Sequence, residues 1–434
     1  MRSARDGKHA MPASMSRDKK TIVVLGGGFG GVYAAKQLCS IAKKRGDLRV
    51  VLVNRTNYFL FTPLLHEVAT GGVTPEAVVE PLQKALDSRF VDFIFDTVES
   101  ISFKKKRISF AKEGILTYDA LILALGAETN YYNTPGAEDF CFPLKTLPDA
   151  VRIKNTLIDI FYRASRTHDP EERRRLLCFT IIGGGPTGVE VAAELSEFIE
   201  HTFTRVYRAR QIAKDARVTL IHHGSELLER FPPYFRERAQ KQLVRHNISI
   251  RLNTSATKVD SNGVSLSDGS YIPSELVLWT AGVKPSAVPL ASGESCAHDR
   301  RGCIMVDQYL RVASQREVFA IGDIAHFANE GSGEQAPALA QTAVMQAPAA
   351  AHNAVSELFK RPLAPFIFKQ RGSLVSLGQW MAVGEVSKLR FSGHMAWLLW
   401  RSVYLTKIIS WRKRLRVMLD WFLDFFDYRD ISRL

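Results

Sequence analysis

Apolar residues along this chain fall into two alternating rhythms, and the alternation repeats. Thr21-Ile-Val-Val-Leu25 is a continuous apolar run of the kind found in strands buried on both faces. It runs directly into Gly26-Gly-Gly-Phe-Gly-Gly31, after which apolar positions from Val32 to about Lys44 recur at helical spacing. A second strand, Arg49–Val53, follows. The same order returns as strand Cys178–Ile182, loop Gly183-Gly-Gly-Pro-Thr-Gly188, a helix from Val189 to about Phe198, and strand Arg217–Ile221. Leu121–Leu125 before Gly126 reads as a late strand of the first system. Val318–Ile321 before Gly322-Asp323 reads as another, ahead of an alanine-rich helix from Ala338.

A lone glycine loop is a weak signal; strand, Gly-x-Gly-x-x-Gly, helix and strand in succession is a specific one. The chemistry lies in the backbone. Gly26 permits a tight turn, Gly28 lets a pyrophosphate approach the chain, and Gly31 lets helix and strand pack closely; Gly183, Gly185 and Gly188 repeat the arrangement. The helix N-terminus then offers N–H groups and the positive end of its dipole to phosphate. Two such units predict an α/β fold with two Rossmann-like dinucleotide-binding domains, one for FAD and one for NADH or NADPH. The expected division is a disordered basic tail over 1–19, an FAD domain over 20–145 completed by 291–360, a nucleotide domain over 146–290, and a C-terminal region over 361–434.

The residue closing the second strand of each unit ordinarily selects the ribose. A carboxylate there pairs with the 2′-hydroxyl, and its replacement near a base tolerates a 2′-phosphate. Here those positions hold Asn54 followed by Arg55, and His222 followed by His223. Asn54 keeps the capacity to hydrogen-bond a ribose, and the histidines leave NADH and NADPH both open.

Composition narrows the partners. The 434 residues are 46% hydrophobic and 24% charged with a net charge of +14, which fits a globular protein with an anionic partner. Cys39, Cys141, Cys178, Cys296 and Cys303 stand singly, so neither a metal site nor a Cys-x-x-Cys redox pair is expected. Residues 1–20 lack the apolar stretch of a secretory signal, and Asp6 and Asp18 weigh against a mitochondrial leader. No apolar run reaches the ~18 residues needed to cross a bilayer.

With these units in place, the chain resembles the type II NADH dehydrogenases, single-subunit NADH:quinone oxidoreductases, from Thr21 to about Asp430. Beyond the glycine loops, the likeness rests on Phe61-Thr-Pro-Leu-Leu-His-Glu-Val-Ala-Thr-Gly71, Pro135-Gly136 through Leu144-Lys-Thr146, and Trp279-Thr-Ala-Gly-Val283. Phe319-Ala-Ile-Gly-Asp323 and Ala340-Gln341-Thr-Ala343 complete it. The resemblance implies FAD on Gly26, Gly28, Phe29, Gly30 and Gly31, with Asn54, Arg55, Gly126, Gly322 and Asp323 also around it. It implies Thr62 and Pro63 beside the isoalloxazine ring. The nicotinamide nucleotide is implied on Gly183, Gly185, Gly188, His222 and Gly282. Glu190 matches a family glutamate near the nicotinamide–flavin contact, while the plainer reading is a carboxylate favoured by the helix dipole. Gln341 matches the first of two family glutamines, four residues apart, that face the quinone. The position four later is Met345, and Gln346 beyond it is rotated by about 100° on a helix.

From His394 to Leu434 neither proline nor glycine interrupts the chain, which allows a long helix, straight or bent. Trp400, Tyr404, Ile408, Trp411, Leu415, Met418, Phe422 and Phe425 recur at steps of four and three as one apolar stripe. Between Arg401 and Arg416 there are six basic residues and no acidic one. A stripe beside bases describes a helix lying on anionic lipid; packing on its own domain, or on a second copy in a homodimer, is the plainer alternative. No nucleic-acid recognition motif accompanies the bases.

The prediction is a peripheral respiratory-chain flavoprotein on the cytoplasmic face of a bacterial inner membrane, carrying electrons from NADH to quinone without pumping protons. Two alternatives stand beside it. One is a reductase of the same architecture with another acceptor, of the sulfide:quinone, ferredoxin or rubredoxin type. The other is a non-enzymatic flavin-binding regulator at the membrane. The sulfide enzyme needs cysteines at the flavin, and residues 55–75 hold none.

Overall fold

The computed structural model describes residues 19–207, 214–329, 333, 335–370, 372–386, 389–424, 426 and 429–433. The expected basic tail up to residue 18, and Phe425 of the apolar stripe, lie outside the described residues. Two compact units emerge. One joins the chain up to Asn57 with Leu86–Gly126 and Ala287–Ile367; the other joins Tyr58–Ala85, Ala127–Ser286 and Phe368–Leu434. Residues 58–85 and the C-terminal region therefore belong to the same unit as the second glycine loop.

The first unit is built on five parallel strands in the order Val318–Ala320, Ala120–Leu123, Lys20–Leu25, Leu48–Asn54, Val91–Phe95. The apolar run that announced the first strand is its cause: Ile22, Val23, Val24 and Leu25 are all fully buried, as a strand covered on both faces requires. The helix Phe29–Arg45 packs on the helix Ala340–Leu358. The buried residues of these helices include Ala34 and Ala35 in the first and Ala347, Ala350 and Ala351 in the second, small side chains of the kind that allow close helix packing.

The second unit repeats the plan. Its parallel strands run Cys141–Pro143, Leu276–Trp279, Cys178–Ile182, Arg217–Ile221, Ser249–Arg251. In both sheets the glycine-loop strand is central, flanked by the second strand of its unit on one side and a late strand on the other. Each unit also carries a three-stranded antiparallel meander, Val98–Ser102, Arg107–Phe110, Ile115–Thr117 in the first and Ala256–Asp260, Gly263–Leu266, Tyr271–Pro273 in the second. In such sheets the crevice where strand order reverses lies at the strands' carboxyl ends, and both glycine loops leave their sheets there.

The C-terminal helix differs from expectation. It is two helices, His394–Lys407 and Trp411–Leu423, because Ile408 takes extended dihedrals (φ −66°, ψ 131°). Two consecutive β-branched residues and Ser410 weaken helical propensity at this point, and Arg414 caps the open end by donating to the Ile408 carbonyl at 2.9 Å and the Thr406 carbonyl at 3.2 Å. The break splits the stripe between two surfaces. Trp400 and Ile408 are buried, whereas Trp411, Leu415, Met418 and Phe422 are exposed. The second helix turns Val417 and Trp421 inward instead.

Candidate active site: two glycine cradles and a buried carboxylate cluster

The two loops are the same device built twice. Gly26 has φ +110° and Gly183 φ +116°, a region that L side chains rarely adopt, so these two turns require glycine. A Cβ on Gly31 would overlap the Gly26 carbonyl oxygen, and one on Gly188 the Gly183 carbonyl oxygen. Gly28 and Gly185 are glycine for another reason, since an added Cβ there meets nothing within 4 Å. Each precedes its helix without a side-chain cap and with no acidic residue in the first turn, which leaves those N–H groups and the dipole end to an anion. Open space over bare backbone at a helix N-terminus fits a dinucleotide pyrophosphate, twice. Phe29 opens the first of these helices, with Gly30 buried behind it.

Both loops are also braced alike. Gly27 N–H donates to Asn54 Oδ1 at 2.9 Å, and Gly184 N–H to His222 Nδ1 at 3.2 Å. Asn54 further donates to the Thr56 carbonyl at 2.9 Å and hydroxyl at 3.0 Å, and Arg55 beside it is exposed. The side chains read as ribose ligands are thus first of all supports of the glycine loops. His222 is 8% exposed, and burial, with His223 adding to it, holds its pKa below the ordinary value. As an acceptor at Nδ1 it is neutral, with its hydrogen on Nε2.

In the first unit, Gly126 (φ +71°) follows the strand Ala120–Leu123 and Gly322 (φ +75°) follows the edge strand Val318–Ala320, with Asp323 next in the chain. Gly322 N–H donates to Gln346 Oε1 at 2.7 Å. That bond explains the displaced glutamine: Gln346 is 1% exposed and holds the Gly322-Asp323 turn, whereas Gln341 and Met345 are half-buried on the same helix.

In the second unit, the helix Pro186–Glu197 carries Glu190, Glu194 and Glu197 on one face at steps of four and three, all buried. Glu190 accepts from Ser376 N–H at 3.2 Å and lies 3.9 Å from His66 Nδ1; Glu197 accepts from Gln379 N–H at 2.5 Å. Arg429 donates to Glu194 at 2.6 Å and to Thr70 Oγ1 at 3.2 Å, and lies 3.8 Å from Glu197. Glu67, on the short helix Leu65–Ala69, accepts from Trp421 Nε1 at 2.5 Å. Arg401 sits 3.9 Å from the Trp397 ring centre and 4.4 Å from that of Trp421. Burial pushes Glu190 and Glu197 up to about 8 and Glu67 up to about 7. Burial would raise Glu194 as well, but Arg429 with His66 and Arg401 holds it below the usual range. His66, driven down to about 4 mainly by burial, is neutral. At neutral pH Glu190 and Glu197 keep their protons while Glu194 carries the charge that Arg429 meets.

Comparison with known proteins gives this geometry a family. Residues 20–347 match the model described as pyridine nucleotide-disulphide oxidoreductase, and residues 370–430 match the NDH2 C-terminal domain. A type II NADH:quinone oxidoreductase of Mycobacterium tuberculosis is 32% identical over 431 residues, spanning 96% of this chain and 90% of the relative. This chain belongs to the type II NADH:quinone oxidoreductases. A demethylphylloquinone reductase of Synechocystis sp. is 30% identical over 415 residues, 94% of this chain and 96% of the relative. NDH2 from Plasmodium falciparum, solved in complex with NADH, shares the fold with a TM-score of 0.85 at 20% identity, over 95% of this chain and 100% of that one.

Within this type II oxidoreductase, the sequence named one member of the carboxylate cluster, Glu190, and missed the rest. Glu194 and Glu197 were legible as its i+4 and i+7 partners. Glu67 lay unread inside a signature stretch, and Trp421 and Arg429 meet their partners across 354 and 235 residues. Thr62 and Pro63 form a single tight turn, Thr62–Leu64, with Thr62 exposed. Gly282 offers its carbonyl to Asn130 N–H at 3.0 Å.

Proposed function

We propose that this chain uses FAD to carry electrons from NADH to a membrane quinone without pumping protons. The observation that carries the reading is the duplicated cradle, with open space at Gly28 and Gly185 and backbone packed tight on either side. Bound FAD supplies the chemistry, accepting two electrons with a hydride and passing them on. The chain's own residues hold and orient the two dinucleotides, FAD on the first loop with Asp323 toward its ribityl phosphate, and NADH on the second. Glu190 keeps a proton on its carboxyl at neutral pH, and reduction of a quinone to a quinol takes up two. Gln341 is assigned to the quinone side and Glu190 to the nicotinamide side.

The cysteines argue against sulfide chemistry. Burial raises Cys141 to about 12 and moves Cys178, Cys296 and Cys303 upward, so none of these four is a ready thiolate at neutral pH. A seat on the membrane is supported by Trp411, Leu415, Met418 and Phe422, exposed on a helix that also carries Arg412, Lys413, Arg414 and Arg416. Among the described residues no helix is long and apolar enough to cross a membrane. The cytoplasmic face of a bacterial inner membrane completes the proposal. FAD-loaded protein tests it: NADH without oxygen should bleach the flavin, and a soluble quinone analogue should restore its colour. Flavin that stays oxidised, or that is bleached yet never restored by quinone, would remove the enzyme reading.

A further inference from the structure

The second cradle lacks an acidic residue where its strand ends, yet a carboxylate stands there all the same. Glu229, seven residues past His222, brings Oε1 to 3.7 Å from His222 Nε2, and a Cβ on Gly224 would overlap that same oxygen. The loop is held in this return. Leu228, at φ +54°, donates its N–H to the Gly184 carbonyl at 2.9 Å, and Leu227 and Leu228 are both buried. Arg236 donates to the Glu229 carbonyl at 2.7 Å and to the Phe231 carbonyl at 2.8 Å, which pins the backbone on the far side. The Glu229 side chain stays 44% exposed, open to a ligand.

His222 completes the arrangement. Its Nδ1 accepts from Gly184 N–H, so Nε2 bears the hydrogen, and among the described residues that buried nitrogen has no hydrogen-bond partner. A donor on His222 and an acceptor on Glu229 therefore stand together at the end of Arg217–Ile221, where the adenosine ribose of a bound dinucleotide lies. A 2′-hydroxyl both accepts and donates and satisfies the two at once. A 2′-phosphate has no proton to spare for Glu229 and brings like charge against it.

We infer that Glu229, with His222, is the specificity-determining pair of the nucleotide site, gripping the 2′-hydroxyl of NADH and turning NADPH away. The inference rests on the reading that the second unit takes the nicotinamide nucleotide. The competing arrangement, a 2′-phosphate held by the exposed His223 and Arg251, predicts the opposite preference.

The test compares FAD-loaded wild type with Glu229→Gln, which keeps shape and removes charge. Calorimetric binding of NAD+ and NADP+ is measured beside steady-state oxidation of NADH and NADPH. Wild type should favour the unphosphorylated nucleotide, and Glu229→Gln should improve NADP+ affinity and kcat/KM for NADPH by about tenfold or more, mainly through KM. Its KM for NADH should rise, because the ribose hydroxyl then loses its charged acceptor. Wild type preferring NADP+, or a Glu229→Gln protein whose NADP+ to NAD+ affinity ratio is unchanged, overturns the inference. Absence of turnover with either nucleotide would count against the enzyme reading instead, while the two affinities would still decide the role of Glu229.

Discussion

Arg429 closes its guanidinium on the Glu194 carboxylate at 2.6 Å, with their side chains only 12% and 6% exposed. The arginine comes from the last residues described and the glutamate from the helix that begins at the second glycine loop. One ion pair thus ties the C-terminal segment to the helix that follows the second glycine loop, within a single unit.

Removing one partner of a buried pair leaves the other charge uncompensated, which costs about 3–5 kcal/mol. Arg429→Met should therefore lower unfolding stability by roughly that amount, and Arg429→Lys by less. Arg429→Met combined with Glu194→Leu should recover part of the loss, since neither charge of the pair is then left without the other. Denaturant unfolding of the set decides it, and a single variant within about 1 kcal/mol of wild type would show that the pair is dispensable.

The raised carboxyls make stability fall toward alkaline pH. Glu190 and Glu197 sit at about 8 and Glu67 at about 7, each up from 4.5. The folded state holds these protons more tightly than the unfolded chain, so their contribution is complete below about 4.5 and lost as pH rises through 7 to 8. Glu190→Gln cannot ionise. Its melting temperature should decline less than that of wild type between about pH 6 and 9, and parallel declines would contradict the assignment.

The glycines should separate ligand binding from folding. Gly28→Ala meets no atom of the protein, so it should fold and melt near the wild-type apoprotein while losing most of its FAD. Gly185→Ala should keep FAD and raise KM for NADH by about tenfold or more, the effect of a methyl group where pyrophosphate approaches. Gly31→Ala collides with the Gly26 carbonyl and should destabilise the fold itself. Flavin absorbance, NADH kinetics and melting curves distinguish the three, and a Gly28→Ala protein with full FAD would refute the cradle.

The exposed half of the apolar stripe should bind lipid. Leu415→Asp with Met418→Asp alters two side chains that are 46% and 47% exposed. Stability should change little, about 0.5 kcal/mol or less per site, and oxidation of NADH with a soluble quinone analogue should persist. Sedimentation with anionic vesicles should be lost. Retained vesicle binding together with dissolution of a dimer on size exclusion would assign this face to a second copy of the chain.

Whatever depends on neighbours in the chain was legible in the amino-acid sequence. Strand Cys178–Ile182 and strand Arg217–Ile221 were read at their observed bounds, because continuous apolar runs between turn residues have few other uses. The glycine loops declared their cradles because φ near +110° and contact with backbone carbonyls admit no other residue. The same local rules allowed one helix after His394, where packing decided on two. They left Gln346 misplaced by one residue until its bond to Gly322 gave it a purpose. They showed His222 without an acid, while a loop held by Leu228 and Arg236 returned Glu229 to its side. Burial made the largest difference. Nothing in Glu190, Glu194 and Glu197 as letters distinguishes a solvated helix face from a desolvated one, and their proton affinities were decided only when distant segments excluded water and brought Arg429 against them.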